Sequence, residues 1–205
     1  MASRLNLLFQ SAPKQFLQRT VLFTDQLSSP ESAGLTRHKQ VHCIDIEPVG
    51  IRSSARVLLN VNAYADSPLT SYFVPASGFA LVPGENPAHN YVFLPEFVGC
   101  RLLVKPEQND WLRLELEQGL AGRMPAPESA RGSRYTDSFA YWDYTHGHLV
   151  GRIRATAVLV KEAGVPWTIY MQQIVGTPGF EVVRELHWRK LRYYPLELVA
   201  RRSRF

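Results

Sequence analysis

From residue 41 onward, apolar and polar positions alternate in short runs that break at Pro, Gly and Asn, which is the two-residue period of half-buried strands. The runs span Val41 to Glu47, Arg56 to Tyr64, Ser71 to Val74, Phe79 to Val82, Tyr91 to Leu94, Gly99 to Val104 and Trp111 to Glu117. They resume at Ser138 to Asp143, His148 to Lys161, Thr168 to Val175 and Phe180 to Tyr194. The clearest is Trp111 to Glu117, where Leu112, Leu114 and Leu116 fall on one face and Arg113, Glu115 and Glu117 on the other. Turn chemistry separates successive runs: Pro106 to Asp110, then Glu162-Ala163-Gly164-Val165-Pro166, then Gly176-Thr177-Pro178-Gly179. Short strands without a fixed repeat predict a mainly β chain, a single-domain β-sandwich or a strongly curved sheet with few short helices. Propellers and solenoids need a constant period, which is missing.

Residues 1 to 40 follow a different pattern. They read as a helical or extended N-terminal arm, with Leu5, Leu8, Phe9, Phe16 and Leu17 as docking points, leading into a polar loop through Ser28, Ser29, Pro30, Ser32 and Gly34. The β-rich domain is expected over residues 41 to 205, interrupted by a Gly/Pro/Arg-rich loop from Gly119 to Ser133 that reads as a mobile flap or rim loop.

Composition narrows the class. The 205 residues are 45% hydrophobic and 20% charged, the balance of a folded chain with one substantial core. No apolar run reaches the roughly 20 residues that cross a bilayer, and the patch from Leu5 to Phe9 is too short, and too broken by Asn6, for a secretory signal. The expectation is a soluble protein, cytoplasmic or delivered to a target cell without a classical signal peptide. The formal charge of +5 gathers toward the C-terminus, where Arg184, Arg189, Lys190, Arg192, Arg201, Arg202 and Arg204 fall close together with Trp188, Tyr193 and Tyr194 interleaved. Such a tail could meet nucleic acid, anionic lipid or an acidic partner, or keep the chain soluble as a solvated face. No nucleic-acid motif accompanies it, which disfavours nucleic acid as the partner.

Two places concentrate chemistry. Cys100 follows Gly99 at the start of a hairpin, the position in which a thiol is presented as a nucleophile once a base or a positive environment lowers its pKa. The opposing reading is a small buried hydrophobe, and Cys43 in V-H-C-I-D-I fits that reading still better. The second concentration is Tyr141-Trp142-Asp143-Tyr144-Thr145-His146-Gly147-His148, where an imidazole oriented by Asp143 would supply the base of a cysteine triad. His146 and His148 lack a third ligand at metal spacing, so no metal is expected, and nothing points to a cofactor. Gly-rich phosphate loops and G-x-S-x-G are missing, which sets aside kinase, dehydrogenase and α/β-hydrolase chemistry.

The stretch Y-F-V-P-A-S-G-F-A-L-V-P-G-E-N, leading through Y-V-F-L-P-E-F-V-G-C-R-L-L-V into a strand opened by Trp111, resembles the catalytic core of the cytotoxic-necrotising-factor-like cysteine deamidase toxins. It is similar to the chemoreceptor glutamine deamidases as well. The resemblance covers about 45 residues and implies a β-sandwich in which Gly99-Cys100 matches the nucleophile motif. It implies a bacterial effector that attacks a protein Gln or Asn side chain, with backbone N–H groups at Gly99 and Cys100 holding the oxyanion. The family's base lies on the returning strand, where this chain has no His between Cys100 and Glu117. Either His146 or His148 replaces it, or the chain keeps the fold without the catalysis. In the second case the expected function is binding of a protein partner through the basic, aromatic C-terminal strands, at Arg189, Arg192, Arg201 and Arg202.

Overall fold

A computed structural model describes residues 4–24, 41–49, 56–61, 68–76, 78–96, 100–118, 137–140, 154–177 and 180–193. The chain is mainly β, and each alternating run of the sequence corresponds to a strand. Two short helices, α1 (Arg4–Ser11) and α2 (Pro13–Arg19), precede β1 (Val21–Phe23). The remaining strands are β2 (Val41–Pro48), β3 (Arg56–Val61), β4 (Leu69–Phe73), β5 (Gly78–Pro83), β6 (Tyr91–Phe93), β7 (Cys100–Pro106), β8 (Trp111–Gln118), β9 (Asp137–Ala140), β10 (Arg154–Val160), β11 (Thr168–Val175) and β12 (Val182–Lys190).

The strands form a large, curved, nearly closed sheet in the order β1-β3-β2-β4-β6-β10-β11-β12 and a small sheet in the order β5-β8-β7-β9. The odd-even alternation of the strands assigns each face of the large sheet a separate core. On one face Tyr72, Val92, Ala155, Ala157, Leu159, Ile169 and Met171 pack against Val82, Leu102, Val104, Leu112, Leu114 and Leu116 of the small sheet. On the other face Ile44, Ile46, Leu59, Leu69, Phe73, Phe93, Val158 and Tyr170 surround the two helices.

The segment expected as an arm therefore supplies part of the core. Phe9, Phe16 and Leu17 are buried, while Leu8 stays 47% exposed. The Phe9 ring meets Phe16 edge-on at 5.6 Å and lies 5.3 Å from Tyr91 and 5.9 Å from Phe93, and aromatic pairs at such distances add to simple area burial. Polar side chains fix the helices where strand pairing stops. β4 ends its pairing with β2 at Leu69 opposite Ile44, and just beyond it Asn6 accepts from Ile46 N at 2.9 Å and donates to Asp45 Oδ1 at 2.7 Å. β1 carries only three residues and no turn signal, so alternation could not reveal it. It pairs in parallel with β3, from Val21 opposite Arg56 to Phe23 opposite Leu58.

The two sheets are tied together at the end of β5. Trp167 Nε1 donates to Pro83 O at 2.8 Å and the Tyr193 hydroxyl donates to Gly84 O at 2.7 Å. Gly84 N donates to Asp110 O at 2.7 Å. A Cβ at residue 84 would lie 2.7 Å from Asp110 Oδ1 and 3.2 Å from Asp110 O, so any larger residue would have to displace the Asp110 carboxylate. Asp110 itself sits at φ 58 beside Asn109 at φ 57, the left-handed pair that a tight hairpin between β7 and β8 demands.

Candidate functional site

Cys100 opens β7 as expected, with its Cα opposite Gln118 of β8, and the next residue, Arg101, opposite Ala140 of β9. Antiparallel pairing on both sides brings three points of the chain together at this end of the small sheet: the entry to β7, the exit from β8 and the exit from β9. The exit from β9 leads into the segment that carries Asp143, His146 and His148, and that segment rejoins the described chain at Arg154. Arg154 Nε lies 3.4 Å from Glu96 Oε1, four residues before Cys100. The β9 end of the histidine segment is thus paired next to Cys100, and the Arg154 end contacts Glu96. Gly99, Asp143, His146 and His148 themselves lie outside the described residues, as do Arg201 and Arg202. Cys43, half-buried on β2, is a free thiol.

An ion cluster that sequence reasoning missed adjoins this region. Glu181 is 8% exposed and bridges two arginines, with Oε1 at 3.0 Å from Arg154 Nη2 and Oε2 at 3.1 Å from Arg56 Nη2. The Arg56 and Arg154 guanidiniums lie 5.0 and 5.1 Å from the Phe23 ring centroid, so cation–π attraction adds to the ion pairs. Since the partners come from β1, β3, β10 and the residue before β12, no local spacing announces the cluster. Its carboxylate pairs with a terminal nitrogen of each arginine and holds the strands in place, while among the described residues Arg56 Nε is buried with no hydrogen-bond partner. Among the described residues no group of three or more His, Cys, Asp and Glu is placed to hold a metal ion.

The second candidate region is β12, which is one edge of the large sheet: it pairs with β11 and, among the described residues, with no strand on its other side. Between residues 182 and 193 Arg184, Arg189, Lys190 and Arg192 face a single acid, Glu185. Glu185 Oε2 lies 3.5 Å from His187 Nε2. Arg184, Lys190 and Arg192 are exposed and Arg189 is half-buried. Trp188 is 51% exposed, yet it has two partners: its ring stacks on Tyr170 at 6.5 Å and 26°, and Lys14 Nζ of α2 sits 4.3 Å from its centroid. Burial pushes the Tyr170 hydroxyl above its ordinary pKa, with Glu162 adding to the rise, so Trp188 stacks on a neutral phenol near pH 7. Phe180 and Val182, at the start of the strand, are 81% and 56% exposed.

No protein-family model matches the chain, and no curated protein matches it. Among the described residues no helix is long and apolar enough to cross a membrane.

Proposed function

We propose that this chain is a β-rich binding module that holds a protein partner on the basic, aromatic strand β12. The observation that carries the reading is Trp188, a large ring half open to solvent and contacted by Tyr170 and Lys14, with cations before and after it along the strand. An aromatic whose rotamer is already locked loses little conformational entropy on binding, and such anchors ringed by charge dominate protein interfaces. The test places a photo-crosslinking amino acid at Arg184 in the full chain, with Glu115 on the small sheet as the control position. A defined protein adduct at residue 184, lost with Trp188→Ala and not formed at residue 115, supports the reading. Equal labelling at both positions would discard it.

A second reading, cysteine-dependent deamidation of a protein Gln or Asn, is favoured by the exit of β9 toward the histidine segment from Ala140, opposite Arg101, next in the chain to Cys100. In that chemistry an imidazole of His146 or His148, oriented by Asp143, takes the Cys100 proton, and the thiolate attacks the carboxamide carbon. Ammonia leaves from the resulting thioester, and water hydrolyses it to release the carboxylate and regenerate the thiol. Iodoacetamide labelling of the Cys43→Ser protein across pH decides between the two. An apparent Cys100 pKa well below roughly 8.5, returned to that value by His146→Ala or His148→Ala, supports the enzyme. Labelling that waits for unfolding removes it.

A further inference from the structure

We infer that the partner contributes an extended, acidic segment that adds to the large sheet as a new strand along the outer edge of β12; this rests on the binding reading above. Leu191 N donates to Trp167 O at 2.7 Å, which continues the register of Thr168 opposite Lys190 and Tyr170 opposite Trp188. In an antiparallel pair the residues that bond the neighbour alternate with those that turn away from it. Arg189 and His187 therefore direct their main-chain groups to β11, while Leu186, Trp188 and Lys190 direct N–H and C=O to the outer side. There, among the described residues, the Lys190 carbonyl meets a 3.5 Å contact from the Arg189 guanidinium. The register breaks between Gln173 and Ile174, where Arg184 is the extra residue of a bulge. The bulge ends the regular edge on one side and leaves an open stretch of three outward-facing residues.

Charge selects the occupant. With four basic residues against one acid between residues 182 and 193, a second copy of this strand would be repelled, whereas an acidic segment is attracted and aligned. Side chains also specify its pattern. Leu186 and Trp188 share one face of β12, and His187 and Arg189 share the other, so the added strand carries apolar residues beside Trp188 and carboxylates beside Arg189. Main-chain bonds supply affinity in this mode and alternate side chains supply specificity. Basic residues on an edge also deter unwanted pairing, and the experiment separates that role from capture.

Phage-displayed random nonapeptides are selected against the full chain, and the enriched sequences are synthesised. The expected result is alternation of acidic with apolar residues, at least a tenfold loss of affinity when every second amide of the peptide is N-methylated in one frame, and little loss in the other. Lys190→Pro, which removes an outward N–H that edge strands can spare, costs at least tenfold, and Lys190→Ala about threefold. The methylated peptides give the same reading on unaltered protein if the proline variant unfolds. Peptides that require Trp188 but tolerate N-methylation in both frames would overturn strand addition and leave the partner-binding reading standing. Failure to enrich any peptide sensitive to Trp188→Ala, or tighter binding of a labelled dT20 oligonucleotide at the same strand, would overturn both.

Discussion

β11 and β12 are neighbours, and their polar groups are handled in opposite ways. On β11, Gln172 is 1% exposed and uses its whole amide. Its Nε2 donates to Leu17 O at 2.7 Å and Thr20 O at 2.6 Å, and its Oε1 accepts from Leu22 N and Thr156 Oγ1, each at 3.0 Å. One side chain thus fastens α2 and β1 to β11 and β10 of the large sheet. On β12, by contrast, the main chain of Leu186, Trp188 and Lys190 points outward, and cations surround it. The seam belongs to folding, where an unmet polar group is costly. The edge is where we propose that an outside strand adds.

The largest effect that would break this contrast is loss of the helical plug. Phe9→Ala empties the centre of the core around α1 and α2 and should cost about 3–5 kcal/mol, read by urea unfolding. Gln172→Ala comes next. It strands the Leu22 N–H, two carbonyls and a buried hydroxyl, for an expected loss of about 2–4 kcal/mol. A loss below about 1 kcal/mol would mean that the seam does not fasten the plug.

Alkaline pH gives a smaller effect. The Tyr170 and Tyr72 hydroxyls are raised above 10.0 chiefly by burial, so the folded state keeps its phenol protons longer than the unfolded chain. Their contribution is intact below about pH 10 and is lost as pH rises from there through the higher folded values. Urea midpoints should therefore fall above about pH 10, and fall less steeply in Tyr72→Phe. The smallest change in stability is expected at the edge. Arg184→Ser should shift it by less than about 0.5 kcal/mol, while weakening capture of an acidic peptide severalfold. A large loss of stability there would place Arg184 in the folding machinery and erase the contrast.

The same division governs what could be read from the chain. Strand positions were legible because burying one face of a strand imposes a two-residue period, and Leu112, Leu114 and Leu116 are all within the core as that period requires. The hairpin that places Cys100 at the head of β7 was equally legible, since Asn109 and Asp110 carry the turn locally. β1 was not, because three apolar residues have no detectable period and its partner β3 lies beyond a long stretch of chain. Glu181 could not be foreseen either, because nothing local marks a carboxylate that two distant arginines will claim.

The basic, aromatic character of β12 was written in Arg184, Trp188, Arg189, Lys190 and Arg192, since composition and alternation are local properties. Whether that strand would be central or an edge, which of its amides would face outward, and that Lys14 and Tyr170 would contact Trp188 were decided only by tertiary structure. Strand order, and contacts between α2 and β12 or between Gln172 and Leu17, join residues far apart in sequence. Their energies arise from burial that exists only once the sheet has curled around its helices.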